Sequence, residues 1–193
     1  MIFSAESRWF FSGRVPDEVG NWFSVGSGSH PDSEASEERN DRYLVSPGCD
    51  RVGVKLRAGL LLEVKMAIGT AERLELAAGL EGNLETFLKW SCDDRSIAQI
   101  AGDDPRPWVP VRKNRSLSTS ALPAGCHAEL TRVDLGGAPY WTFALEAIGS
   151  PEDARGQLVE CGVRFVELRG IPPVALTRER SLSYPAWLAG SSR

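Results

Sequence analysis

The sequence predicts an α+β fold in which eight antiparallel strands form a closed or nearly closed tunnel barrel with helices packed outside. Three observations predict it. Charged and apolar residues alternate with period two in many short segments, which is typical of strands with one apolar face. Two turn signals, Ala58-Gly59-Leu60 and Gly136-Gly137, each join two such segments. The charged faces are too many for ordinary solvent exposure, so we expect them to line an enclosed lumen.

The N-terminal part of the chain predicts one strand and one helix. The strand runs from Ile2 to Phe11 and places Glu6 and Arg8 on one face. Pro16 to Val25 predicts a short helix, because proline is tolerated in the first helical turn and apolar residues recur at helical spacing. The serine-rich and acidic segment Gly26 to Glu38 is interpreted as a surface loop.

The next segments predict a strand and a hairpin. The strand runs from Arg39 to Ser46, and the hairpin from Val52 to Met66. A three-residue turn pairs Lys55 with Glu63, which places both charges on the face that carries Arg57. That face either meets bulk water, as many alternating strands do, or faces a lumen. The remaining strands favour the lumen.

Two further strands and a helix are predicted in the middle of the chain. Asn83 to Ser91 alternates as a strand, and Val111 to Leu117 alternates with Lys113 and Arg115 on one side. Between these strands, Asp93 to Gly102 predicts a short helix.

The last hairpin is predicted around Gly136-Gly137. Its two strands are Cys126 to Asp134 and Pro139 to Ile148. The turn pairs Glu129 with Ala144 and His127 with Glu146. We expect the apolar outer faces to be covered by the helix near Pro16, a helix over Pro151 to Cys161, and the C-terminal segment. An open sheet with one wet face is the alternative.

Composition limits the classes of protein that this chain can represent. With 193 residues and 42% hydrophobic content, it is long enough for a single domain over residues 1–193. The net charge of -4 argues against a general nucleic-acid surface or an anionic membrane surface. No apolar run approaches the roughly 20 residues that span a bilayer. We therefore expect a cytoplasmic monomer or homodimer.

Closure of the barrel would bring many charges into one lumen. The basic residues are Arg8, Lys55, Arg57, Lys65, Lys113 and Arg115, and the acidic residues are Glu6, Glu63, Glu129 and Glu146. Arginine and lysine match phosphate oxygens, whereas grouped carboxylates suit a hard cation such as Mg²⁺ or Mn²⁺. A small polyphosphate bridged to a metal would satisfy both groups. Each basic residue could instead pair with a glutamate across the lumen, and Glu63 is the expected partner of Lys55.

The order of these motifs resembles that of the triphosphate tunnel metalloenzymes, or CYTH proteins. Six segments are similar to motifs of that family. Ser4-Ala5-Glu6-Ser7-Arg8 is similar to the first-strand motif Glu-x-Glu-x-Lys, Asp41-Arg42-Tyr43-Leu44 is similar to the tyrosine strand, and Lys55-Leu56-Arg57 with Glu63-Val64-Lys65 is similar to the Arg-x-Arg strand and its following lysine. Lys113-Asn114-Arg115 is similar to the Lys-x-Arg strand, Ala144 with Glu146 corresponds to the paired glutamates of the last strand, and Arg180 to Leu188 is similar to the closing Ser-Tyr segment.

The resemblance implies an eight-stranded tunnel that binds a triphosphate or polyphosphate with Mg²⁺ or Mn²⁺ and hydrolyses it. It implies catalytic roles for Glu6 and Glu146, metal ligation by Glu6, Glu129 and Glu146, and substrate binding by the six basic residues named above. Ser4 and Ala144 stand where the family has carboxylates. A noncatalytic module that binds a polyphosphate, a nucleotide or a partner is therefore the alternative.

Several other side chains have structural interpretations. His127 is interpreted as a hydrogen-bonded structural residue, with acid-base catalysis as the alternative. The tryptophans are expected in the core beneath the helices; they are Trp9, Trp22, Trp90, Trp141 and Trp187.

Overall fold

The structure is a computed structural model that describes residues 1–24, 37–46, 48–77, 79–94, 96 and 108–191. Within these ranges the strands are β1 (Ile2–Ser12), β2 (Glu37–Leu44), β3 (Val52–Arg57), β4 (Leu61–Ala77), β5 (Leu80–Cys92), β6 (Trp108–Ser118), β7 (Cys126–Leu135) and β8 (Ala138–Ile148). The helices are α1 (Asp17–Ser24), α2 (Ala154–Arg169) and α3 (Tyr184–Ser191), and a short 3-10 helix covers Arg178–Arg180.

The eight described strands close into a barrel. Their order is β1-β5-β4-β3-β2-β6-β7-β8, and β8 pairs with β1 to complete the ring. Every neighbouring pair is antiparallel. This confirms the predicted α+β class and the closed antiparallel barrel, and the open-sheet alternative is wrong. Closure makes alternate residues of every strand face one enclosed lumen.

Both hairpins have the predicted registers. Lys55 lies opposite Glu63, and His127 lies opposite Glu146. Gly136-Gly137 has a positive φ at both positions, which the turn of a two-residue hairpin loop requires. Because these registers are fixed, the charged faces of β3, β4, β7 and β8 all turn into the lumen.

The main hydrophobic core lies outside the barrel, under α1 and α2. Trp9 of β1 is fully buried and stacks on Phe143 of β8, with ring centroids 5.8 Å apart. Trp22 of α1 and Phe165 of α2 meet the same phenylalanine at 5.1 and 5.4 Å. The predicted covering of the outer face by these two helices is therefore confirmed.

The C-terminal helix α3 packs at one end of the lumen, whereas we expected the C-terminal segment on the outer face. Phe10 alternates with Arg8 along β1 and so faces the lumen, and Trp187 stacks on it with ring centroids 4.6 Å apart. Trp187 and Leu188 share a buried cluster with further lumen-facing residues of neighbouring strands, namely Tyr43, Val111 and Val133. The apolar lumen residues at this end therefore pack against α3, and α3 closes that end of the lumen.

The second strand begins earlier than the sequence predicted. Glu37 and Glu38 belong to β2 and not to a loop, because Glu37 pairs with Arg115 in the register of β2 and β6. The rest of the predicted loop, and most of the helix predicted over Asp93 to Gly102, lie outside the described residues.

Two other expectations change. The second helix continues to Arg169, well beyond Cys161, because Phe165 extends its buried stripe by another turn. Trp90 is 44% exposed and does not belong to the core, since α2 packs mainly on β8, β1, β4 and β7. Among the described helices, none has the length and apolar character to cross a bilayer.

Candidate ligand-binding tunnel

The lumen contains a cavity of about 120 Å³ that basic side chains surround. Eight basic residues from six strands line it: Arg8, Arg39, Lys55, Arg57, Lys65, Lys89, Lys113 and Arg115. Four carboxylates line it as well: Glu6, Glu63, Glu129 and Glu146. At the closed end, Tyr184 and Pro185 of α3 complete the wall. Positive charge therefore dominates the surface of the cavity.

The structure brings every site residue that the sequence predicted to this one cavity. They are Glu6, Arg8, Lys55, Arg57, Lys65, Lys113, Arg115, Glu129 and Glu146. The alternation of β1, β3, β4, β6, β7 and β8 explains this convergence, since all nine occupy lumen-facing positions. Their roles in binding, metal ligation and catalysis stay predictions.

Arg8 lies at the centre of a buried network between β1, β7 and β8. Its Nη1 donates to Glu129 Oε1 at 2.6 Å and to Thr142 Oγ1 at 3.0 Å, and its Nε donates to Glu6 Oε1 at 2.7 Å. Thr131 Oγ1 donates to the same oxygen of Glu129 at 2.7 Å. Burial alone would raise the pKa of Glu129, but Arg8 and Thr131 hold it well below its ordinary value.

Asp41 is a fully buried carboxylate among three cations. Its Oδ2 lies 3.2 Å from Arg39 Nε, 3.4 Å from Lys113 Nζ and 4.0 Å from Lys55 Nζ. Burial opposes ionisation, but Lys113, Lys55 and Arg39 lower the pKa of Asp41 below its ordinary value. The carboxylate therefore stays charged and neutralises part of the lumen.

Lys113 is the most buried of the basic residues, with 2% of its surface exposed. Its Nζ donates to the Tyr43 hydroxyl at 2.6 Å and lies 3.6 Å from the centroid of the Tyr184 ring. Burial lowers the pKa of Lys113 well below its ordinary value, and the charge of Lys55 lowers it as well, although the nearby Asp41 opposes the shift.

Glu63 holds three cations at the β3–β4–β5 side of the lumen. Its carboxylate lies 2.8 Å from Lys55 Nζ, 2.5 Å from Lys89 Nζ and 3.5 Å from Arg57 Nη1. The predicted pairing of Glu63 with Lys55 is therefore confirmed. Burial alone would raise its pKa, but Lys55 and Lys89 lower the pKa of Glu63 to about 2.

Three carboxylates form a row across β5, β1 and β8. Glu85 is the register partner of Glu6, and Glu6 is the partner of Glu146. Lys65 forms salt bridges with both Glu6 and Glu146, and His127 Nε2 lies 3.1 Å from Glu146 Oε2. Burial and then the nearby Glu6 raise the pKa of Glu85 to about 7, against the attraction of Lys65.

The carboxylates of the ligand-free tunnel do not fit a metal site formed by the protein alone. Within the described ranges, no three His, Cys, Asp or Glu side chains converge as metal ligands would. Glu6 and Glu129 are both engaged by Arg8, and Glu146 is engaged by His127 and Lys65. Carboxylates held by cations are poor ligands for Mg²⁺ or Mn²⁺, which need free oxygen donors.

Sequence reasoning missed four charged residues of the tunnel. They are Glu37, Arg39, Asp41 and Lys89. Glu37 and Asp41 form salt bridges with predicted site residues, Arg39 pairs with these two acids, and Lys89 pairs with Glu63. The alternation of charged and apolar residues in β5 places Lys89 on the same face as Glu85, so this pattern could have predicted that Lys89 faces the lumen. Glu37 was not predicted to lie in the tunnel because its segment is acidic and serine-rich, which is typical of a surface loop.

Comparison with solved structures identifies the fold. No protein-family model matches this chain, and no curated protein matches its sequence. HpAC1 from Hippeastrum, which has a dominant triphosphatase activity, matches with a TM-score of 0.56 and 13% identity over 100% of this chain and 97% of that chain. PH1819 from Pyrococcus horikoshii OT3 matches with a TM-score of 0.52 and 12% identity over 97% of this chain and 99% of that chain. This chain therefore has a CYTH-like fold.

Proposed function

We propose that this chain binds a triphosphate or a longer polyphosphate in its lumen. One observation carries the proposal: eight basic side chains from six strands surround a single cavity in a chain whose net charge is -4. Concentrating positive charge inside an acidic protein gives a site that is selective for a small polyanion. Guanidinium groups also match the geometry of phosphate oxygens, with two donors side by side.

The internal ion pairs determine how such an anion enters. Each of the eight basic residues forms a salt bridge with at least one lumen carboxylate. A phosphate must therefore exchange places with carboxylates, and its higher charge favours the exchange. The cavity of about 120 Å³ has the volume of a few water molecules, at about 30 Å³ for each molecule in the liquid. This space suits an unsubstituted phosphate chain better than a nucleotide with its sugar and base.

Titration calorimetry with inorganic tripolyphosphate at low ionic strength tests the proposal. We expect saturable binding to the wild type, and a loss in affinity on the order of tenfold or more for Arg115→Ala, because a charge-assisted hydrogen bond is removed. Arg112→Ala is the matched control, since Arg112 is exposed on the outer face of the same strand. The absence of binding to the wild type, or an equal loss in both variants, would reject the lumen as the site.

Hydrolysis of the bound anion with Mg²⁺ or Mn²⁺ is the second candidate function. It is supported by the adjacent Glu6 and Glu146, which share Lys65, and by the triphosphatase activity of HpAC1. A divalent metal would supply charge neutralisation at the phosphate oxygens. The substitution of family carboxylates by Ser4 and Ala144, and the engagement of the remaining glutamates by cations, favour binding over turnover.

Phosphate release from tripolyphosphate separates these two functions. If the chain is a hydrolase, the wild type releases phosphate in the presence of Mg²⁺ or Mn²⁺, and Glu6→Gln and Glu146→Gln lose this activity while Glu152→Gln keeps it. Glu152 is an exposed residue outside the barrel strands. Release that is no faster in the wild type than in Glu6→Gln would leave a noncatalytic binding module.

A further inference from the structure

Three arginines from three adjacent strands converge on one oxygen of Glu37. Glu37 Oε2 lies 2.5 Å from Arg115 Nη2, 3.4 Å from Arg39 Nη1 and 3.9 Å from Arg57 Nη2. The arginines belong to β6, β2 and β3, which are neighbours in the barrel. Three guanidinium groups thus surround a point that a single carboxylate oxygen occupies.

Each of these arginines has a second, deeper carboxylate. Arg115 lies 3.6 Å from Glu129, Arg57 lies 3.5 Å from Glu63, and Arg39 lies 3.2 Å from Asp41. The deeper carboxylates are Glu129, Glu63 and Asp41, and all three are buried. These buried carboxylates hold the three guanidinium groups in place, whether Glu37 or another anion occupies the space between them.

Glu37 differs from the deeper carboxylates because 42% of its side chain is exposed. An exposed ion pair contributes little to stability, so its carboxylate can move into solvent at a small cost. A buried carboxylate cannot leave without stranding its partners. Of the four acids around the three arginines, Glu37 is therefore the one that an incoming anion can displace.

The arginines also keep hydrogen-bond capacity for a larger anion. Arg115 Nε is buried and has no hydrogen-bond partner among the described residues, whereas Arg39 Nε is directed at Asp41. Buried donors without an acceptor cost free energy, and they are commonly satisfied by a ligand or an ordered water. A phosphate group presents three oxygens and more charge than a carboxylate, so it can satisfy more of these donors.

We infer that Arg39, Arg57 and Arg115 form a subsite for the terminal phosphate of the bound chain, and that Glu37 occupies this subsite as a built-in competing anion. The inference rests on the proposed function and adds Arg39 and Glu37 to the binding residues. The bound phosphate displaces the Glu37 carboxylate into solvent. The affinity of the tunnel is thereby set below the value that its basic residues alone would give.

Calorimetry with inorganic tripolyphosphate on matched variants tests this inference. Glu37→Gln should tighten binding by about three- to tenfold, because the competing charge is gone while its size is kept. Glu38→Gln, which changes an exposed residue at the next position of β2, should leave affinity within about twofold of the wild type. This control removes the same unit of net charge, so it accounts for the long-range field.

Arg39→Gln supplies a second measurement. It should weaken binding by roughly tenfold and reduce the gain from Glu37→Gln when the two changes are combined, because both act at one subsite. If the wild type binds but Glu37→Gln leaves affinity unchanged or weaker, the inference is wrong and the proposed function stands. If neither the wild type nor Glu37→Gln binds, the proposed function itself fails.

Discussion

Asp41 shows how a buried charge is tolerated in this lumen. Neither of its carboxylate oxygens has a hydrogen-bond partner in the part of the chain that the structure describes, although the side chain is fully buried. Such a group would be costly without compensation, and three cations within 4.0 Å supply it. The negative charge of Asp41 therefore compensates the three cations, and its carboxylate holds them in position.

Glu85 differs from Asp41, because the charged residue opposite it on the neighbouring strand is a carboxylate, Glu6, and not a cation. Its pKa is raised from 4.5 to about 7, first by burial and then by Glu6. Between these two pH values the folded chain holds a proton that the unfolded chain has lost, so the contribution of Glu85 to stability falls as pH rises and is lost above about pH 7. We predict that Glu85→Gln stabilises the fold by about 2 kcal/mol at pH 8 and has little effect at pH 4.5.

Urea unfolding at both pH values measures this difference. Glu81→Gln, which changes a side chain of the same strand that is 42% exposed, should change the free energy of unfolding by no more than about 0.5 kcal/mol at either pH. Equal effects of Glu85→Gln at pH 4.5 and pH 8 would contradict the assigned environment of this carboxyl.

At the scale of elements, the strands position the site and α3 closes one end of it. The registers of the β3–β4 and β7–β8 hairpins follow from period-two alternation and from short turns, both of which are local properties of the sequence. The position of α3, in contrast, is not determined by a local property of the sequence. Its contacts join Trp187 to Phe10 and Tyr184 to Tyr43, residues that are far apart in the chain, so no local pattern indicates which face they meet.

We predict that Trp187→Ala lowers the free energy of unfolding by about 3–5 kcal/mol, because it removes a buried aromatic side chain that stacks on Phe10 and meets Tyr140 edge-on. Trp90→Ala is the control of equal size, and it should cost much less because Trp90 is 44% exposed. Denaturant titration of both variants measures the difference. Similar costs for the two tryptophans would show that α3 does not close the lumen as described.

At the scale of the whole molecule, an acidic protein encloses a basic interior. The net charge of -4 indicates little attraction for polyanions, whereas the cavity lining is dominated by lysine and arginine. The sequence revealed this inversion because the lumen-facing charges recur at alternate positions of predicted strands. It could not reveal how those charges pair, since pairs such as Arg8 with Glu129 depend on the closure of the barrel.

The balance of charge in the lumen also depends on the whole barrel. Ser4 and Ala144 are uncharged residues at lumen-facing positions, whereas Glu37 and Asp41 place negative charge beside the basic residues of β2, β3 and β6. The lumen therefore keeps a positive excess while each cation retains a partner.

A crystal structure of the complex with inorganic tripolyphosphate would show where the anion binds. We expect phosphate density inside the barrel, in contact with Arg57, Arg115 and Lys113, with the Glu37 carboxylate turned toward solvent. Density confined to the outer groove that Arg14, Arg112 and Arg132 line, with the lumen ion pairs intact, would contradict it.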